Sequence, residues 1–175
     1  SAPSVTGALL EFPQTVDGRV IRWTGVQVFV VCVVIAAMSY LEYRSVKWLS
    51  VGLLTDFCLR FYGGAGVSPL GSISMLVVAL WDLVGGRWLG RATGPVWGAG
   101  PPKQFAVSVG VMFSTIIVVL QFTKQWQAAT AFAAVLAFFA GLEGFINFCA
   151  GCWFFGHAIR FGIIPDTVYM QHINL

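Results

Sequence analysis

Four long apolar runs, Val26 to Leu41, Val46 to Phe61, Phe105 to Phe122 and Ala128 to Phe148, follow one another along the chain with almost no charge inside them. A helix needs about 20 mostly apolar residues to cross the hydrocarbon core of a bilayer. The pattern therefore predicts an all-α integral membrane bundle of four transmembrane helices, over about residues 23–43, 46–62, 104–123 and 128–150. The last of them is expected to run on to about residue 161, beyond the hydrocarbon, with Pro165 as its stop. A fifth apolar stretch, Leu70 to Val84, is shorter and carries Asp82, which suits a re-entrant or interfacial helix over about residues 69–84 better than a span.

The polar punctuation fills in the rest. Residues 1–22 read as a surface arm, with Arg19, Arg22 and Trp23 anchoring its end at the headgroups. Tyr40, Tyr43, Arg44, Lys47 and Trp48 mark the far interface, and the short connection there makes the first two spans an antiparallel hairpin. Gly63-Gly64-Ala65-Gly66 ends the second span. Ser68 then serves as the N-cap of the short helix and Pro69 takes its first position. Gly85 to Pro102, rich in Gly, Pro and Trp, reads as a loop with Trp88 and Trp97 at the interface, and residues 162–175 as a polar tail. If the short helix does not cross, Arg19, Arg22, Arg87, Arg91, Lys103 and Arg160 share one side against Arg44, Lys47 and Lys124 on the other. The positive-inside rule then puts the N-terminus, the long loop and the C-terminus together on the positive side.

Composition sharpens the class. Of 175 residues, 58% are hydrophobic and only 10% charged, where globular domains average about 25% charged. A chain this small cannot hide that much apolar surface within itself, so membrane lipid must cover the remainder. The net charge of +3 is spread over the loops, which leaves no basic patch for nucleic acid. The opening Ser1-Ala2-Pro3-Ser4 fits a mature chain whose targeting segment has been removed, or a trimmed one.

Few residues carry chemistry. Asp56 and Arg60 stand at i and i+4 in the second span and read as a structural ion pair near the membrane surface, or as part of a proton or ligand path. Cys149 and Cys152 bracket Ala150-Gly151 on the fourth helix. They read either as small packing side chains or as a redox pair, with Gly151 easing a departure from ideal helix. A C-x-x-C redox motif of the thioredoxin type starts a helix, whereas this one falls within or at the end of one. With His157 as the nearest imidazole, a metal site is weakly supported. Glu143, flanked by Gly141 and Gly144, lies within the membrane with Asn147 one turn on. A carboxyl there is protonated, paired or bound to a cation or cofactor. Glu143, Asn147, His157, Gln121 and His172 are also side chains able to ligate a chlorophyll magnesium.

Taken in order, Val16-Asp17-Gly18-Arg19, the Asp56 and Arg60 pair followed by Ser68-Pro69-Leu70, Gly100-Pro101-Pro102-Lys103-Gln104-Phe105-Ala106, and Leu142-Glu143-Gly144-Phe145 leading to Phe148-Cys149-Ala150-Gly151-Cys152 form one pattern. It resembles the membrane family named domain of unknown function 4395, over roughly Val16 to Pro165. This chain reads Gln104 where the family has a second basic residue, and its Leu70 to Val84 segment is apolar where the family's is basic. The resemblance implies a four-span bundle without an established activity. Bacterial members near thioredoxin-like or rhodanese-like proteins favour thiol or sulfur chemistry at Cys149 and Cys152, and algal members are organellar.

Three functions are open at this level. With 15 Phe and 7 Trp, the chain suits a non-catalytic accessory subunit of an organellar membrane complex, a photosystem-type assembly of the thylakoid before the mitochondrial inner membrane. There it would contact other membrane subunits, lipid, and chlorophyll or carotenoid. The alternatives are a membrane thiol-redox protein using Cys149 and Cys152, and a small transporter using Glu143, Asp56 and Arg60. The last lacks the paired broken helices of transport folds.

Overall fold

The structure, a computed structural model, describes residues 15–88 and 97–160. Six α-helices carry the fold: α1 (Gly18–Tyr40), α2 (Val46–Gly63), α3 (Pro69–Trp88), α4 (Gly100–Phe122), α5 (Trp126–Gly141) and α6 (Ala150–Arg160). A π-helical turn, Leu142–Ile146, continues α5. Two three-residue strands, β1 (Thr15–Asp17) and β2 (Trp97–Ala99), pair antiparallel with Asp17 opposite Trp97. They tie the start of α1 to the start of α4.

Helices α1 and α4, together with α5 continued to Ile146, are long and apolar enough to cross a membrane. The chain is an integral membrane protein. The expected second span is also helical, as the 18 residues of α2. Its Lys47, Asp56 and Arg60 set it apart from the other three. The four long helices α1, α2, α4 and α5 alternate in direction, with α1 packed on α5, α5 on α4 and α4 on α2. Val28, Cys32, Ile35, Leu53, Ile117 and Leu136 fill the centre. Val30, Val33, Met112, Val119 and Phe138 point outward, where burial against lipid, not protein, satisfies them.

Small residues set the closest approach. A Cβ on Gly25 of α1 would stand 2.9 Å from the backbone N of Gly144, and a Cβ on Gly144 would stand 2.8 Å from the N of Val26. The two backbones touch with no side chain between them. This is the close approach expected of glycines around Glu143, with α1 as the partner.

The short helix α3 behaves as its sequence suggests at its start. Ser68 Oγ accepts the Gly71 N–H at 3.0 Å, as an N-cap should. Ser74 Oγ lies 2.8 Å from Thr24 Oγ, and Asp82 takes Arg19 Nη1 at 2.7 Å. Residues 74–82 therefore run back along residues 27–19 of α1, so that α3 lines only the beginning of that helix.

Several boundaries differ from expectation. Residues 18–22, expected in the surface arm, are helical, because Asp17 accepts the Arg19 N–H at 2.9 Å and starts α1 at Gly18. The supposed loop from Gly85 to Pro102 is consumed at both ends by α3 and by β2 with the start of α4. The central part of that loop, with Arg91, and the tail after Arg160 lie outside the described residues. The first span ends at Tyr40, with Glu42 at φ 58° turning the chain. The largest difference is the last helix, which does not continue to residue 161. It widens at Leu142–Ile146, loses helical form over residues 147–149, and restarts at Ala150.

Candidate functional site

The break after α5 builds the site. Leu142 O receives two N–H groups, those of Asn147 and Phe148, the latter at 3.0 Å. Asn147 sits at φ 60°, a left-handed position that Asn tolerates better than most residues. Trp153 N–H then closes onto Cys149 O at 3.0 Å and starts a new helix. Cys149 thus stands at the entrance of α6, and Cys152 N–H donates to Cys149 Sγ at 3.3 Å. The expectation that this C-x-x-C falls within or at the end of a helix is corrected. The motif opens one, which is the setting in which a helix N-terminus favours a thiolate.

The two sulfurs share a hydrogen bond with Sγ–Sγ 2.6 Å, and both thiols are half-buried and free. The Cys149 partner holds the Cys152 thiol below its ordinary value, with Lys103 acting in the same direction and burial against it. Gly151 has a different part from the one expected. The departure from helix occurs before it, over residues 147–149. A Cβ on Gly151 would meet Ala106 Cβ at 2.6 Å, so its lack of a side chain seats α6 against α4.

Cys149 lines a cavity of about 550 Å³ bounded by α1, α2, α4, α5 and α6. Its walls are chiefly carbon, from Ile21, Val28, Phe57, Phe113, Leu136 and Phe139. Among the described residues, five with polar side chains line it: Thr24, Arg60, Lys103, Glu143 and Cys149. Glu143 lines it together with Cys149, and the charges of Lys103 and Arg60 act on that carboxyl. Arg60 pairs with Asp56, yet its buried Nε has no hydrogen-bond partner. Asp56 also accepts the Leu70 N–H at 2.9 Å, so the expected ion pair both caps α3 and holds Arg60 at the cavity wall.

The remaining sequence candidates scatter. Asn147 is exposed and, being left-handed, does not continue the face of Glu143. Gln121 is fully buried between helices and donates to Ser39 Oγ at 2.9 Å. His157 turns back to Trp153, with Nδ1 3.0 Å from Trp153 O and the rings 4.0 Å apart. His172 lies outside the described residues. Among the described residues, no cluster of three or more His, Cys, Asp and Glu side chains is placed to hold a metal ion. Lys103 was read only as a loop charge. Its place beside Glu143 follows from β1 pairing with β2, a tertiary fact with no local sequence signal beyond the Pro101-Pro102-Lys103 motif itself.

A family model described as a domain of unknown function, DUF4395, matches residues 16–160. The chain belongs to that family. No curated protein and no solved structure matches it.

Proposed function

We propose that this membrane protein is a thiol-redox protein whose working pair is Cys149 and Cys152. The observation that carries the reading is the helix break, which places Cys149 at the entrance of α6 and brings its sulfur to 2.6 Å from that of Cys152. In an unbroken α-helix, residues at i and i+3 sit on adjacent turns with their Cβ atoms about 5–6 Å apart. Disulfide closure needs about 3.5–4.5 Å.

The exchange proceeds in two displacements. The Cys152 thiolate attacks one sulfur of a partner disulfide; that S–S bond breaks and one partner thiolate leaves. Cys149, giving up its proton, attacks the Cys152 sulfur of the mixed disulfide and releases the second partner thiolate. The Cys149–Cys152 disulfide forms, two electrons pass to the partner, and the two thiol protons neutralise the departing thiolates. The reverse sequence oxidises a partner dithiol.

Alkylation of the purified protein with a mass-tagged maleimide, before and after reductant, tests this. A redox pair gains two tags together on reduction, and the Cys149→Ser variant, which keeps the attacking Cys152, accumulates a mixed disulfide with partner. Equal labelling of both thiols after exposure to oxidant would overturn the reading.

The outward face of α3 favours a second reading. Ile73, Leu76, Leu80, Trp81 and Leu83 are exposed along it, on a helix that does not follow α1 across. That surface supports an accessory subunit docking other membrane subunits, lipid or pigment, with the thylakoid as its setting. Recovery from mild detergent within a large assembly tests it, and recovery solely as a free monomer refutes it.

A further inference from the structure

We propose that the cavity beside Cys149 binds a lipid-soluble quinone, which accepts the electrons of the Cys149–Cys152 pair. The inference rests on the redox reading above and names the oxidant for that same site.

Three observations converge on this occupant. First, the cavity is walled by Phe57, Phe113, Leu136 and Phe139 in a protein surrounded by lipid. Such a space admits an apolar ring and tail and disfavours glutathione or another charged carrier. Second, donors for carbonyl oxygens already stand in it. Lys103 lines it and forms no ion pair within 4.0 Å among the described residues, and the Arg60 guanidinium, held by Asp56, adds positive charge at the wall. A quinone oxygen would give the Lys103 ammonium an acceptor. Third, the cavity abuts the reacting sulfur. Cys149 lines it and Cys152 does not, so one thiol is available to the quinone and the other to a protein partner.

The chemistry balances. The Cys149 sulfur, losing its proton, adds to a ring carbon of the quinone and forms an S–C bond. Cys152, losing its proton, attacks the Cys149 sulfur. The S–S bond forms as the S–C bond breaks, and that electron pair stays with the ring. Two thiols become one disulfide and the quinone becomes a hydroquinone, taking up the two protons the thiols released. Glu143, which lines the cavity together with Cys149, is placed to take the Cys149 proton and pass it to the nearer quinone oxygen. The pair thereby oxidises partner dithiols and returns through the quinone.

The test uses the full chain in lipid nanodiscs, reduced and freed of reductant, with decyl-benzoquinone as probe. Quinone absorbance and free thiols are followed together. The expected result is one quinone reduced for each pair of thiols lost. Ile21→Trp, which fills the cavity, and Lys103→Met, which removes a donor, should each slow the reaction by about tenfold or more. Both should still close the disulfide completely with excess diamide, which shows that they fold and keep the pair, and each variant's quinone rate is read relative to its own diamide rate, because Lys103 also favours the Cys152 thiolate. Diamide closure in the wild type without any quinone reduction overturns the quinone inference and leaves the redox reading standing. Equal quinone rates in wild type, Ile21→Trp and Lys103→Met overturn it too, because the reaction would then bypass the cavity. Failure of diamide to close the pair in the wild type removes both.

Discussion

Replacing Gly25 by Ala tests whether backbone contact between α1 and the π turn holds the bundle and its site together. The new Cβ would lie 2.9 Å from Gly144 N, 3.1 Å from Gly144 Cα and 3.2 Å from Ala140 O. All three are backbone atoms, so no side chain can swing away, and the two segments must separate. Overpacking of this kind costs about 1–3 kcal/mol. Against it stands the gain of about 0.5–1 kcal/mol when Ala replaces Gly inside a helix. Gly52 is the matched control, because a Cβ there meets nothing within 4 Å, and Gly52→Ala keeps the helical gain alone. The two variants should therefore differ by about 1–3 kcal/mol, with Gly25→Ala the less stable. For a chain of this size that corresponds to between about 2 and 12 °C in melting temperature. Loss of helical circular dichroism on heating, in one detergent at one concentration, measures it. If Gly25→Ala melts no lower than Gly52→Ala, the contact carries no stability and the account of why Gly144 lies against α1 is wrong.

Asp56→Ala should be far more damaging, since it leaves the buried Arg60 charge uncompensated and the Leu70 N–H without its acceptor. A loss of about 3–5 kcal/mol is expected, read as poor recovery of folded protein, and a melting curve like that of the wild type would refute it. Ser68→Ala removes the N-cap of α3 at a cost of about 1 kcal/mol. The amides of residues 70–72 should then exchange faster with deuterated solvent while the α4 amides do not change. Asp82→Asn breaks a pair whose Asp82 side chain is 41% exposed, so its effect should stay below about 1 kcal/mol and vanish in high salt. The fourth expectation concerns pH. A thiol is alkylated as its thiolate, so the rate at Cys152 rises with pH through its depressed value. Removing the hydrogen bond with Cys149→Ala should move that rise to higher pH, and an unmoved or lowered midpoint would contradict the assigned cause.

The apolar runs made the membrane class and most of the bundle legible, because a span is a length-and-polarity property readable one residue at a time. The cap at Ser68 and the Asp56–Arg60 pair were equally local and equally readable. The break after Gly141 was not. Leu142, Phe145 and Ile146 are as apolar as the helix before them, no Pro interrupts them, and helical periodicity has no term for a widened turn. The available hint was Asn147, a residue able to take a left-handed backbone, set directly before Phe148 and Cys149. For the same reason the Cys pair was seen while its surroundings were not. Cys149, Glu143, Arg60 and Lys103 meet only because α1 crosses α5 at Gly25 and Gly144 and a strand pair draws α4 alongside. These are facts of tertiary packing between residues up to about ninety positions apart in the sequence.

The π turn at Leu142–Ile146 carries a consequence for descent as well as for chemistry. A widened turn holds one residue more than the α-helix it interrupts, and one residue is worth about 100° of rotation. Deleting a single codon there would return the turn to ordinary α geometry, leave every span greasy and of workable length, and swing all that follows by more than a quarter circle, with the non-helical residues 147–149 still in place. The direction in which Cys149 and Cys152 face is thus governed by phase: one amino acid lost or gained in the turn re-aims both without touching either.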